Sequence, residues 1–361
     1  MKLVSVIGAR PQFIKAAVVS REIQACPELS ETVLHTGQHF DWNMSEIFFR
    51  EMEIAAPRYN LNVNSAGHGE MTGRMLVGIE GVLLKEKPDG VLVYGDTNST
   101  LAGALAAKKL CLKVVHVEAG LRSYNLRMPE EINRILTDRI SDLLCCPTER
   151  AVENLRREGF DHFPCRVERT GDVMRDAAEY YRESASRRSV IVEKLGLAGK
   201  EYALCTVHRA ENTDDPRRLA AIVGAMNEIS REMEVVLPMH PRTENAVRES
   251  GIRREFRSLP PVGYLDMIRL LTDAKIVLTD SGGLQKEAFF FAKPCVTLRE
   301  ETEWVELVEA GFNKLAGAGK DGILAAFKEM KDVELDFNID LYGSGNAGRA
   351  TVEAVRQLLG K

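Results

Sequence analysis

Short runs of β-branched and aliphatic residues alternate with amphipathic stretches along the whole chain. Val4-Ser5-Val6-Ile7, Val33-Leu34-His35-Thr36, Val91–Tyr94, Val114–Val117 and Leu143–Cys146 have the length and composition of buried strands. Helical spacing fills the gaps between them. After Gly8-Ala9-Arg10-Pro11, residues Ile14, Ala17, Val18 and Ile23 share one face; further helices are predicted near 44–49, 72–87 and 101–110, and from Pro129 through Asp138. From about residue 165 the alternation starts again, after Arg166–Gly171. Strand Tyr202–Val207, helix Pro216–Glu232, strand Glu234–Pro238 and a helix near Tyr264–Leu271 lead to Lys275–Arg299, a strand, a glycine loop, a helix and a second strand. Repeated strand, loop and helix of this length predict an α/β protein with parallel, doubly wound sheets. The expected organisation is two Rossmann-like domains, 1–168 and 169–361, facing across a cleft. The last helix, about 347–359, could pack on either.

Polar residues recur where predicted strands end, which is where such sheets bind ligands. Arg10, Lys15, Asp96, Glu118, Arg122, Glu130, Arg134, His208, Arg209, Glu211, His240, Arg242, Ser281 and Glu287 all fall at or near these tips. The stretch Asp280-Ser281-Gly282-Gly283 stops a strand. Ser281 suits a helix N-cap, and Gly282 and Gly283 place bare amides at the positive helix end, a seat for phosphate. An ordinary glycine-rich turn with a serine cap fits the same letters. Glu287 could serve only the helix dipole, or accept from vicinal hydroxyls. Cations mixed with carboxylates suit a diphosphate beside a reacting carbon: cations hold the anion and carboxylates move protons. Taken singly, Glu131 and Arg242 fit a salt bridge or cap equally well, Arg122 fits a packing cation, and Glu130 with Arg134 fits an i, i+4 surface pair.

Composition narrows the partners. With 361 residues, 45% hydrophobic and 28% charged, the chain suits two globular domains. A formal net charge of −5 argues against nucleic acid or an anionic membrane, so a bound anion needs a local cation cluster. No leader or membrane-length apolar run is visible, and a cytoplasmic setting is expected. The seven cysteines (26, 111, 145, 146, 165, 205, 295) form no C-x-x-C pair and suit small core fillers in a reducing milieu. His39, His208 and His240 lack metal-ligand spacing, so no metal is expected. Gly343-Ser344-Gly345-Asn346-Ala347-Gly348 fits G-x-G-x-x-G, but too few residues follow it for a dinucleotide-binding unit.

The ordered set GARPQFIK (8–15), TGQH (36–39), YGDTNST (94–100), VEAGLRS (117–123), PEEINR (129–134), HRAEN (208–212), HPR (240–242), DSGGLQKEA (280–288) and LREETE (298–303) resembles the non-hydrolysing UDP-N-acetylglucosamine 2-epimerases over nearly the whole chain. That resemblance implies a GT-B-like arrangement, a UDP-sugar substrate, no cofactor and a homodimer. It gives catalytic roles to Asp96, Glu118, Glu130, His208 and Lys15, with base and acid unassigned. It implies that Arg10, Arg134, Arg209, His240, Ser281, Gly282, Gly283 and Glu287 bind UDP or substrate. The implied route eliminates UDP across C1–C2 to a 2-acetamidoglucal and adds it back with a proton on the opposite face. Departures from the family pattern, SYNLRM before PEE, Thr302-Glu303-Trp304-Val305, and FDWNMSEIFF after His39, resemble the subgroup acting on UDP-2,3-diacetamido-2,3-dideoxy-glucuronate for surface polysaccharide. Arg127 is the candidate partner of that sugar's carboxylate, against the alternative of a solvated loop cation. The altered loop after His39 also puts family-type activation by a second UDP-sugar in doubt. Competing expectations are a UDP-GlcNAc epimerase, a hydrolysing epimerase, a GT-B glycosyltransferase and a silent UDP-sugar sensor.

Overall fold

The computed structural model describes residues 1–38, 56–64 and 67–360; His39 and the helix expected near 44–49 lie outside them. The chain divides into two compact units, Met1–Ala177 with Asp340–Lys361, and Ala178–Ile339.

The first unit is built on a seven-stranded parallel sheet: β1 (Lys2–Ile7), β2 (Ser30–His35), β3 (Tyr59–Asn60), β4 (Gly90–Tyr94), β5 (Lys113–Val117), β6 (Leu143–Cys146) and β7 (Arg166–Arg169), in the order β3-β2-β1-β4-β5-β6-β7. Every residue of β4 and β6 is buried, because helices cover both faces of a parallel sheet and leave no polar side. Val4, Val6, Val91 and Val93 pack against Met75 and Ile79 of helix His68–Glu86 and against Ala102 and Ala106 of helix Asn98–Lys109. The small residues of the last helix let it lie close to the sheet. Helix Ala347–Leu359 returns to this unit, against helix Arg10–Gln24 and β6. Its Arg356 meets Glu28 at 2.9 Å.

The second unit carries six parallel strands, β8 (Tyr202–Thr206), β9 (Glu234–Pro238), β10 (Arg257–Leu259), β11 (Ile276–Thr279), β12 (Cys295–Thr297) and β13 (Asn313–Leu315), ordered β10-β9-β8-β11-β12-β13. Ala203, Val235, Ile276 and Val296 meet Met226 of helix Pro216–Ile229 and Phe327 of helix Lys320–Met330 in its core. In each sheet the strand order reverses once, between β1 and β4 and between β8 and β11. Beyond the carboxyl ends of those strand pairs lie the two crevices that a doubly wound sheet offers a ligand.

The expected parallel α/β class is what the structure has. Differences lie in detail: β7 pairs with β6 and closes the first sheet, and helix Val173–Arg188 runs across the unit boundary. β3 and β13, of two and three residues, carry no apolar run to announce them.

Candidate active site

At the first crevice, the turn after β1 is already occupied by the protein's own side chain. The amides of Gly8 and Ala9 donate to Gln12 Oε1 at 2.7 and 3.0 Å, while Gln12 Nε2 donates to the Tyr94 carbonyl and to Thr100 Oγ1, both at 2.9 Å. Amides that would cradle a phosphate in such a turn are therefore spent on joining it to the tip of β4. Arg10 opens the helix that follows.

Lys15, on the same helix, pairs its ammonium with the Glu118 carboxylate, and both side chains are only 8% exposed. Glu118 follows β5 with φ +71°, a left-handed conformation uncommon outside glycine. Its amide and that of Ala119 both donate to the Cys145 carbonyl, at 3.1 and 3.0 Å, which holds this turn against the strain. Gly95, at φ +62°, sits over the pair. A side chain there would press on Lys15 Nζ at 3.1 Å and Glu118 Oε1 at 3.4 Å.

Asp96 comes next. Its carboxylate accepts from Arg134 Nη2 at 2.7 Å and its carbonyl from Asn133 Nδ2 at 2.9 Å, both donors on helix Pro129–Ile140. Asp96 keeps a 32% exposed side chain while Arg134 is 3% exposed. Two carboxylates thus flank Gly95, each beside its own cation. Glu130 is half-buried in the first turn of the same helix. Burial rules out the surface pair of Glu130 with Arg134: the guanidinium turns inward to Asp96 and, at 3.2 Å, to Glu131. Glu131 is fully buried and anchors the loop before the helix, accepting from the amides of Ser123 at 3.0 Å and Tyr124 at 2.9 Å. Arg127 is exposed on that loop, where its amide donates to Asn125 Oδ1 at 3.1 Å. Arg122 stands apart from these groups, buried between Asp138 at 2.7 Å and Glu158 at 2.6 Å.

The second crevice is organised by Asp280, which is fully buried. Its carboxylate accepts from the amides of His208 and Arg209 and from Asn212 Nδ2, each at 3.1 Å, and lies 3.2 Å from His208 Nδ1. Burial pushes the carboxyl upward, but the hydrogen bond and charge of His208, with Asn212 and the Arg209 amide, hold it below the ordinary aspartate range. With Nδ1 turned to Asp280, Nε2 is the ring atom left for a ligand, on a side chain 40% exposed. His240 lies beside it, ring centroids 6.0 Å apart, and caps helix Pro241–Ser250 by accepting from the Arg242 amide at 3.2 Å. Arg242 pairs with Asp214 at 2.7 Å on the surface.

Ser281 caps helix Gly282–Phe290 as expected, its Oγ accepting from the Leu284 amide at 3.4 Å. Gly282 is required by close approach: a methyl group there would fall 2.2 Å from Glu303 Oε1. Glu303 is itself held by Arg299 at 3.0 Å, with Arg209 at 3.7 Å. Gly283 follows, and Glu287, one turn later and nearly buried, accepts from Tyr264 Oη at 3.3 Å. Glu211 lies 3.8 Å from the buried Arg299. The structure brings Lys15, Asp96, Glu118 and Arg134 together in the first unit, and His208, Arg209, His240 and the Ser281–Gly283 turn with Glu287 in the second. Sequence reasoning missed Gln12, Asn133, Asp280 and Glu303 as site-building residues, although Asp280 stands directly before the serine and glycines. Among the described residues, no group of three or more His, Cys, Asp or Glu side chains is placed to hold a metal ion.

Comparison with known proteins places the chain in a family. The family described as UDP-N-acetylglucosamine 2-epimerase matches residues 21–356. A Pseudomonas aeruginosa protein named UDP-2,3-diacetamido-2,3-dideoxy-D-glucuronate 2-epimerase is 54% identical over 360 residues, covering 99% of this chain and 100% of the relative. The UDP-N-acetylglucosamine 2-epimerase of Methanocaldococcus jannaschii is 41% identical, with 98% of each chain covered. Its crystal structure in complex with UDP-GlcNAc and UDP superimposes with a TM-score of 0.92 over 99% of this chain and 100% of that one. The Neisseria meningitidis enzyme bound to UDP-GlcNAc is 32% identical, with a TM-score of 0.88 over 99% of this chain and 100% of that one. The two-sheet, GT-B-like architecture is shared with these structures. With a family match over residues 21–356 and identity of this order over the full length, the chain belongs to the UDP-N-acetylglucosamine 2-epimerase family.

Proposed function

We propose that this chain epimerises C2 of a UDP-2-acetamido sugar without net hydrolysis, acting on UDP-2,3-diacetamido-2,3-dideoxy-glucuronate to give its manno isomer. The observation that carries the proposal is the pair of carboxylates around Gly95, Glu118 against Lys15 and Asp96 against Arg134. The C2 proton has no neighbouring carbonyl to acidify it, so direct deprotonation is prohibitive. Elimination of UDP across C1–C2 gives an enzyme-bound 2-acetamidoglucal, and re-addition with a proton on the other face inverts the centre. Inversion needs proton-transfer groups on opposite faces, drawn from Asp96, Glu118 and Glu130. The leaving diphosphate needs donors: His208 Nε2, Arg10, Arg209 and the helix amides after Ser281 supply them. In this scheme Asp96, Glu118 and Glu130 handle the proton, and UDP is held with Glu287 on the ribose and His240 in support.

The name of the 54% identical relative supports the uronate. Arg127, exposed on the loop before Pro129, is proposed to meet its C6 carboxylate. Arg127→Ala should then lower turnover of the uronate more than that of UDP-GlcNAc; equal loss on both rejects the assignment. UDP-GlcNAc to UDP-ManNAc epimerisation is the second reading, supported by relatives of that name at 41–42% identity.

A cytoplasmic homodimer supplying a surface polysaccharide completes the proposal. Exposed Ile132 and Leu136 on one helix and Val77 and Leu84 on another support a dimer, which light scattering tests. The deciding experiment gives purified protein both UDP-sugars in deuterated water, followed by mass spectrometry and proton NMR. Deuterium at C2 of intact UDP-sugar is the expected result. Free sugar indicates a hydrolysing enzyme, and an untouched C2 a binding protein.

A further inference from the structure

His116 lies in β5 two residues before Glu118, with no exposed surface. Its Nε2 is 2.7 Å from the Gly95 carbonyl, which can only accept, so Nε2 carries a proton and donates. Its Nδ1 is 2.7 Å from Asp138 Oδ1. The other oxygen of Asp138 accepts from Arg122 Nη1 at 2.7 Å and from the Gly120 amide at 3.1 Å. Burial raises the Asp138 carboxyl, but the hydrogen bonds and charges of His116 and Arg122 pull it below its ordinary value. A continuous path results, buried from the Gly95 carbonyl through His116 and Asp138 to Arg122 and ending on the partly exposed Glu158, at 2.6 and 2.8 Å from Arg122.

Both ends of the ring's contacts touch the proposed chemistry. Gly95 precedes Asp96, and Gly120 follows Glu118 by two residues. Three successive carbonyls at the tip of β4 are each held by a side chain: Tyr94 by Gln12 and by Thr100 Oγ1 at 2.7 Å, Gly95 by His116, and Asp96 by Asn133. A buried ionic path is a poor way to gain stability alone, since well-packed apolar residues of the same volume do as well or better. It is a good way to fix one orientation.

We propose that His116 is a positioning residue: its Nε2–H holds the Gly95 carbonyl and so sets Asp96 relative to Glu118, while Asp138 fixes the ring. This role presupposes the epimerisation proposed above. The two arms can be separated, because a glutamine amide reaches the Nε2 site and an asparagine amide only the Nδ1 site. His116→Asn and His116→Gln are compared for C2 deuterium incorporation, kcat and KM, UDP affinity by calorimetry, and Tm. His116→Asn should lose kcat on the order of 10²-fold, the cost of a misplacement of about 1 Å, with KM and UDP affinity kept. His116→Gln should keep most of kcat although its Tm falls with the Asp138 arm. If His116→Asn does not fold, His116→Gln decides alone: retained kcat at lowered Tm supports the role. Equal kcat losses in both variants, kcat following Tm, or undiminished exchange in His116→Asn overturns it while the wild type remains an epimerase. A wild type that incorporates no deuterium sinks the epimerase assignment itself, and this role with it.

Discussion

Lys15→Met removes one charge from the enclosed Lys15–Glu118 pair of the first crevice and leaves its shape. Lys15 and Glu118 are each 8% exposed, and the Gly95 backbone covers both. Stripping one partner from a buried pair costs about 3–5 kcal/mol, because the remaining charge loses its nearest counter-charge while staying out of water. The pair keeps a little solvent contact, so the lower end, about 3 kcal/mol, applies. The protein can escape this cost by protonating Glu118. Loss of the Lys15 charge favours the neutral carboxyl, so the ionisation of Glu118 moves to higher pH. With Glu118 as the proton acceptor the sign follows: it must be ionised to act, so the acid limb of kcat against pH moves to higher pH. The variant should be slow at neutral pH and recover in alkali. Deuterium incorporation at C2 across a pH series measures this, with UDP affinity as the control on the second unit. An acid limb that stays in place while activity falls evenly at every pH would refute the reasoning, and would assign Lys15 a direct contact with substrate instead.

Two further outcomes follow from the second unit. Gly282→Ala drives a methyl group to 2.2 Å from Glu303 Oε1, on a carboxylate pinned by Arg299 at 3.0 Å; overpacking of about 1–3 kcal/mol should weaken UDP binding by roughly 5- to 150-fold in calorimetry. Asp280 is held below its ordinary value of 3.8, so its stabilisation is present above that pH and is lost as the pH falls through the folded value. Asp280→Asn should therefore melt lower than the wild type at neutral pH, and its Tm should fall less steeply on acidification below about pH 4 in scanning fluorimetry.

The parts of the fold that could be read from the chain are those where burial leaves a run. β6 and β9 lie at the residues expected, because both faces of a parallel strand are covered and its sequence turns uniformly apolar. β3 and β13 are strands only by virtue of the neighbour they pair with, and two or three residues carry no periodicity. Asp96, Glu118, His208 and Ser281 could be picked out because a polar residue after an apolar run marks a strand tip. The supporting residues could not, since their partners lie far away in sequence: Gln12 reaches Tyr94, His116 reaches Asp138, and Asp280 reaches His208. His116 passes for an ordinary position inside the apolar β5. Yet each answers a question that can be put to any strand tip, namely which group satisfies a carbonyl or amide once the ladder ends. At the tip of β4 the answer is a buried glutamine, a histidine and an asparagine, and those same three residues hold the backbone on which Asp96 stands beside Glu118. Hydrogen-bond accounting at the strand ends, more than motif spacing, is what connects this fold to its chemistry.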